Sequence, residues 1–383
     1  MLRKDGRWQG AVYVLASDGT VRRKFVYGKT GAEATRKMVD ARKRSDLGLP
    51  ADATTKLADY LAQWLRDVAR PQLRPRTFEM YNRCVVRHIV PAVGRKRLNA
   101  LTPADVRKLL NEKSNSGLAP RTVSYVRAVL RSALSQAVRD GLLQRNVAAL
   151  AKPPRIPRSE VKALSPVEAN KLLATARSDR LRAVWVIALS LGLRRSELLG
   201  LSWSGIDLER RTLRVARGVQ RVDGHLVLDE LKSATSHRTL PLPHVVVEAL
   251  EGHQTRQASE RLVAGRAWQD YGLVFCTEIG TPLDPRNLNR SFRSLLIRAG
   301  VGVEPVQTAD GRPAWATRVR LHDLRHSCAS FLLAQGASPR VVMEVLGHSG
   351  IAVTMNTYAH VLPTLLGDAV AGMDDLLGGM AGA

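Results

Sequence analysis

The sequence predicts a multidomain protein, mainly α with small β-sheets. It comprises an N-terminal module of a small sheet plus a helix, a purely helical domain, and a larger α+β domain. Three observations lead there. At 383 residues the chain is two to three times the usual domain size. Near Thr54 its apolar pattern changes from short alternating runs to a helical repeat. Residues 151–160 then bring three prolines and three basic side chains with almost nothing to bury, which reads as a linker. The resulting boundaries are 1–50, 54–150, 151–160 and 161–383.

Taken in order, Arg7 to Val14 and Val21 to Tyr27 alternate around Ser17-Asp18-Gly19-Thr20 and predict a hairpin. A helix is expected from about Gly31 to Leu47. A small basic sheet on one helix can lie in a major groove, and Arg22 and Lys24 are its candidate DNA contacts. The helical domain opens with Leu57, Tyr60, Leu61, Trp64, Leu65 and Val68 on one face, with Thr54 or Thr55 able to cap the helix. A second helix runs from about Thr77 and is expected to stop at Pro91, and a third starts at Thr102-Pro103. A fourth spans roughly Pro120 to Asp140 and is ended by Gly141. Arg121, Arg127 and Arg131 fall among its polar positions and are candidate contacts to a DNA backbone. After the linker, Ser165-Pro166-Val167-Glu168 forms a capping box. Helices then run to about Leu199, strand-like pieces follow (212–216, 226–228, 238–240), and helices return from Pro243 and Pro285.

The net charge of +25 points to a polyanionic partner, for which nucleic acid is the commonest candidate. Residues 1–50 hold 12 basic and 5 acidic side chains, 51–160 hold 21 and 8, and 161–383 hold 26 and 21, so the excess sits in the first two parts. Arg outnumbers Lys 46 to 13, which suits forked phosphate contacts, although a GC-rich genome produces the same bias. The longest apolar run, Ala183 to Leu189, is too short to span a bilayer, so no membrane association is expected. The short run Ala11 to Ala16 does not make a secretion signal, and three scattered cysteines form no C-x-x-C pair. A cytoplasmic protein in a reducing compartment is expected.

Basic and imidazole side chains cluster at unusual places in the last domain. Arg194 follows Leu-Gly-Leu after the apolar helix, and Lys232 lies in a polar turn. His322 and Arg325 are one helical turn apart, His348 follows Leu-Gly, and Tyr358 stands ten residues later. Together they offer what phosphoryl transfer from DNA needs. Tyr358 is a nucleophile, Arg194 and Arg325 can clamp phosphate oxygens, His322 and His348 can donate further hydrogen bonds, and Lys232 can protonate the leaving oxygen. No metal or cofactor is needed for that set.

The set Gly-Leu-Arg194-Arg-Ser-Glu197-Leu, the Lys232 turn, His322-Asp-Leu-Arg325-His326, Leu-Gly-His348 and Asn-Thr-Tyr358 resembles the tyrosine recombinases, the phage integrase family. The order and the spacings (131 residues from Arg194 to Arg325, 23 to His348, 10 to Tyr358) match together over about 160–365. Residues 54–150 resemble that family's helical, SAM-like core-binding domain, and the first fifty residues resemble three-stranded arm-binding modules. The resemblance implies site-specific cutting and rejoining of double-stranded DNA by a homotetramer, through a 3′-phosphotyrosyl link and a Holliday junction. It implies integration and excision of a phage or other mobile element in a bacterial host, on the nucleoid. A host DNA-bending protein and an excision or directionality factor are candidate partners. Glu197 matches the family's acidic position, and His326 would support Arg325. The acidic tail 364–383 would dock on a neighbouring protomer. One departure is the long stretch between Gly302 and Arg318, before the histidine box.

Other readings compete with this one. His322 and His326 stand at i, i+4 as metal ligands do, but Arg325 between them repels a cation and no third ligand follows. Taken singly, Tyr358 is a packing tyrosine, His348 a helix-end residue and Lys232 a loop lysine; their joint order carries the functional reading. A type IB topoisomerase-like activity and a non-catalytic DNA-binding regulator stay open. Cleavage separates the regulator from the enzymes, and exchange between two sites separates the enzymes from each other.

Overall fold

A computed structural model describes residues 1–15, 20–46, 55–157, 162–231, 237–308, 310, 312–348, 350–351 and 354–355. The chain divides into two compact units, 1–158 and 159–383.

The first unit begins with strands Trp8–Leu15 and Val21–Gly28, paired antiparallel, and the helix Gly31–Asp46 packed on one face. The Leu2–Trp8 bridge and the Gln9 N–H to Met1 carbonyl bond (2.8 Å) make a rudimentary third strand, less than the three-stranded module expected. Residues directly opposite in such a pair share a face. Val14 and Val12 are buried, and they oppose Arg22 and Lys24. The two basic residues therefore sit on the helix side, and the open face instead carries Tyr13, Arg23, Phe25 and Tyr27. On that open face the Arg23 guanidinium lies 5.1 Å from the Phe25 ring centre.

The rest of this unit is helical around one core, in which the Tyr60 hydroxyl donates to the Ala133 carbonyl (2.8 Å). Pro91, expected to stop a helix, does not end it, and Pro71 also sits inside a helical run. Helix Leu57–Trp64 passes through a π-helical turn, Leu65–Ala69, into Arg70–Gln72, and Pro75–Cys84 passes through another, Val85–Ile89, into Val90–Val93. Each π turn lies just before a proline, Pro71 or Pro91. Widening the turn accommodates a ring that has no N–H and clashes with the preceding turn. The first helix has Lys56 at its N-cap with no side-chain cap, and the Leu57 and Ala58 N–H groups donate to the carbonyls of Lys96 (2.8 Å) and Gly94 (3.0 Å); Thr54 lies outside the described residues. Thr102 and Asp105 form a reciprocal capping box, and helix Pro120–Arg139 ends before Gly141 at φ +68. Arg121 and Arg131 on that helix are exposed. Arg127 is not a free surface arginine: its Nε donates to the Ala151 carbonyl and its Nη2 to that of Ala149 (3.0 Å), tying down the helix Val147–Leu150.

In the second unit the apolar helix Arg182–Leu191 is buried from Ala183 to Leu189 and anchors the core, its Trp185 ring 5.5 Å from that of Phe292. Around it pack the helices Pro166–Thr175, His244–Ala264, Pro285–Ala299 and Asp323–Ala334. A three-stranded antiparallel sheet joins Ile206–Asp207, Thr212–Val215 and Arg238–Pro241. A separate hairpin pairs Arg217–Val222 with His225–Glu230. Its turn, Asp223-Gly224, has φ +47 and +85, and this Asp-Gly pair is the sequence signal for it. The unusually long stretch before the histidine box forms another hairpin, Val303–Gln307 with Pro313–Thr317. Among the described residues, no helix is long and apolar enough to cross a membrane.

Candidate active site

Two helix ends at glycines and one helix start build the site. Helix Arg182–Leu191 ends at Gly192 with φ +60, a left-handed conformation that suits glycine, and the chain then enters the short helix Arg195–Leu199 with Arg194 at its N-cap. A Cβ at Gly192 would lie 2.4 Å from Leu346 Cδ2 and 3.2 Å from Cys328 Sγ, so the side chains of two other helices pack directly on this glycine. Helix Pro339–Leu346 ends at Gly347 with φ +65, and His348 follows. His322 is the N-cap of Asp323–Ala334, which places Arg325 in its first turn.

Hydrogen bonds lock these pieces together. Glu197 is 1% exposed; its Oε1 accepts from Arg194 Nη1 (2.7 Å) and its Oε2 from the Arg194 backbone N–H (3.0 Å). Arg194 Nη2 donates to the Gly347 carbonyl (2.8 Å), and Arg325 Nη1 donates to that of Gly192 (2.8 Å). Arg325 is 3% exposed, whereas the Arg194 side chain keeps 35% of its surface open. Asp323, buried inside the histidine box, is held by Arg320 through its backbone N–H, Nε and Nη2, so it orders the box rather than serving as a free base. The rings of His322 and His326 meet edge to face at 5.5 Å. His348 Nδ1 bonds the Thr354 hydroxyl at 2.8 Å.

The electrostatics are those of a site that favours an anion. Desolvation, then His326 and Arg325, pushes His322 down to about 4. Desolvation, then Arg325 and Arg194, likewise takes His348 to about 4. Burial alone would raise Glu197, but the neighbouring Arg238 and then Arg194 outweigh it and hold the carboxylate below its usual range. Arg238 is the residue that sequence reasoning missed. It lies six positions after Lys232, at the start of a strand, where nothing in the local pattern marks it as buried. Its Nη2 donates to Glu197 Oε2 (3.0 Å) and its Nε to the Val345 carbonyl (2.9 Å).

Arg194, Glu197, His322, Arg325, His326 and His348 are thus brought into one cluster. Lys232 and Tyr358 lie outside the described residues. Arg22, Lys24, Arg121, Arg127 and Arg131 belong to the other unit. Among the described residues no group of three or more metal-ligating side chains converges.

Comparison with known proteins bears on the same elements. Residues 162–364 match the phage integrase family, and residues 56–114 match the phage integrase N-terminal SAM-like domain. The chain is 30% identical to a tyrosine recombinase XerC-like protein of Caldanaerobacter subterraneus subsp. tengcongensis, over 94% of this chain and 93% of that one. It is 31% identical to an integrase of Streptomyces ambofaciens, over 91% and 88%. Among solved structures, the Tn1549 transposon integrase in complex with transposon right end DNA is similar with a TM-score of 0.67, 21% identity, and coverage of 84% of this chain and 99% of that one. A lambda integrase dimer bound to a COC′ core site gives 0.58 at 18% identity, covering 93% of each chain. At those identities the likeness concerns the fold. The family match over more than half the chain, with the recombinase relative spanning nearly all of it, settles membership: the chain belongs to the phage integrase family and is a tyrosine-type site-specific recombinase.

Proposed function

We propose that this recombinase binds double-stranded DNA and cuts and rejoins it through a 3′-phosphotyrosyl link, with Tyr358 as nucleophile. The observation that carries the reading is the convergence of Arg194, Arg325, His322 and His348 around one partly open cluster, supported from below by Glu197. Tyr358 stands ten residues beyond His348 in the chain. In the forward step the Tyr358 oxygen attacks phosphorus as its phenolic proton passes to solvent, the bond to the 5′ oxygen breaks, and Lys232 gives that oxygen its proton. The reverse step, with the 5′ hydroxyl of another strand, releases Tyr358, and the bond energy is kept throughout. The arginine forks stabilise charge on the non-bridging oxygens as it grows. His348 bonds the Thr354 hydroxyl through Nδ1, and in the tautomer whose Nδ1 accepts there, its Nε2 carries the proton and donates to the phosphate. None of these steps calls for a cofactor.

The exposed Arg121 and Arg131 and the open Arg23 face supply DNA backbone contacts in the first unit. Strand exchange between two sites then follows from four protomers acting in pairs through a Holliday junction. Relatives that include the ICEBs1 integrase of Bacillus subtilis and the Tn1549 transposon integrase favour a mobile element as the substrate.

The test is a covalent trap. Protein is mixed with sheared host and element DNA in EDTA and quenched with detergent, and the ends of protein-linked fragments are sequenced. Discrete ends that vanish in Tyr358→Phe, with DNA affinity unchanged, are expected. Scattered ends would favour a topoisomerase, and tight binding with no adduct would leave a DNA-binding regulator.

A further inference from the structure

Arg238 is charged, its side chain nearly covered and shared among three parts of the site. Its side chain is 8% exposed and bridges Glu197 Oε2 (3.0 Å) to the Val345 carbonyl (2.9 Å). Val345 lies in the last turn of helix Pro339–Leu346, just before Gly347, whose carbonyl takes Arg194 Nη2 at 2.8 Å. Two guanidinium groups therefore grip the carbonyl end of one helix, where the helix dipole favours cations, and both hold the same carboxylate. Arg238 also opens the strand Arg238–Pro241, paired to Thr212–Val215, directly after the segment that contains Lys232.

The charge arithmetic gives this arrangement a consequence. One buried carboxylate faces two arginines, so the Arg194–Glu197–Arg238 group keeps a net positive charge. Without Arg238, Arg194 and Glu197 would close into a neutral pair, and Arg194 would pull less on an incoming anion. A lysine there would keep the charge but lose the fork that reaches both acceptors at once.

We propose that Arg238 is a positioning residue for the recombination reaction. It neutralises Glu197 so that the charge of Arg194 acts on the scissile phosphate, and it fixes the strand after the Lys232 turn to the helix end that presents His348. The inference rests on reading this cluster as the phosphoryl-transfer centre.

The experiment uses the full-length protein and a nicked duplex built on a cleavage site recovered by the covalent trap. Single-turnover adduct formation is followed on the natural phosphodiester and on a neutral methylphosphonate at the scissile position. Arg238→Gln is expected to slow the phosphodiester reaction about 10- to 100-fold, the scale for losing a charge-stabilising contact, with DNA affinity held within about threefold. On the methylphosphonate, whose scissile group carries one negative charge fewer throughout the reaction, most of that penalty should vanish. Adding Glu197→Gln to Arg238→Gln should recover part of the phosphodiester rate, because the group that quenches Arg194 is gone; this double variant also removes the buried carboxylate that has lost one of its two cations and could unfold the single one. Arg238→Lys should fall between wild type and Arg238→Gln.

Equal rates with and without Arg238 would overturn the inference. So would a penalty of the same size on both substrates that Glu197→Gln does not relieve, since that is the behaviour of a purely structural arginine. A wild-type protein that forms no adduct on any DNA strikes the recombination chemistry first, and this inference falls with it.

Discussion

Replacing Gly192 by alanine tests whether the site's geometry depends on the close meeting of three elements. Two costs add at this position. A residue with a Cβ at φ +60 loses about 1–2 kcal/mol in the left-handed region. The new methyl also lies 2.4 Å from Leu346 Cδ2 and 3.2 Å from Cys328 Sγ, inside a packed core, where overpacking costs about 1–3 kcal/mol. The alanine restricts the unfolded chain and returns about 0.4–1 kcal/mol. A net loss of about 1–5 kcal/mol is expected. Gly336→Ala, in the same unit, is the control: its φ is +82 but nothing lies within 4 Å of an added Cβ, so it bears the backbone cost alone. Urea unfolding of the two full-length variants should separate them by about 1–3 kcal/mol. Because Leu346 adjoins Gly347 and His348, Gly192→Ala should also slow adduct formation about tenfold or more, while Gly336→Ala leaves it near wild type. Variants alike in stability and rate would refute the idea that this contact sets the position of the His348 turn.

Three further outcomes are expected. His322 and His348 are held near 4 against an ordinary 6.5, so below about pH 6.5 the unfolded chain takes up protons that the folded protein refuses. Stability should therefore be flat above that pH and fall as pH drops toward 4. His348→Gln should shallow the slope in pH-dependent urea titrations without abolishing it, since burial lowers His253 as well. Arg127→Ala should destabilise the first unit by about 1–3 kcal/mol through two lost carbonyl bonds, whereas Arg121→Ala and Arg131→Ala should leave stability unchanged and weaken DNA binding in a salt-dependent way. The opposite pattern would restore Arg127 as a DNA contact. Lys232→Ala should lose cleavage on ordinary DNA and recover it on a substrate with a bridging 5′ sulfur, a leaving group that needs little protonation; no recovery removes Lys232 from the acid role.

Local chemistry determined much of this protein before any tertiary contact entered. Thr102-Pro103-Ala-Asp105 and Ser165-Pro166-Val-Glu168 announce helix starts because the side chains that satisfy the first free N–H groups are adjacent in sequence. The run Ala183 to Leu189 has no polar face, so it had to be interior. Arg194, Glu197, His322, Arg325 and His348 could be picked out because each stands beside a helix boundary that its own neighbours encode. Other features depend on groups far apart in the chain. The helix at Leu57 is closed by carbonyls nearly forty residues away, and Pro71 and Pro91 sit inside helices because a π turn widens to take each ring. Arg127 looked like a surface arginine until carbonyls at 149 and 151 came within its reach, and the helix Gly31–Asp46 decided which face of the sheet Arg22 and Lys24 share. Arg238 is the clearest case. In sequence it is an ordinary arginine before a strand, and only the tertiary structure brings it to Glu197 and Val345, 41 and 107 residues away, because a buried carboxylate must find its cation wherever the fold supplies one.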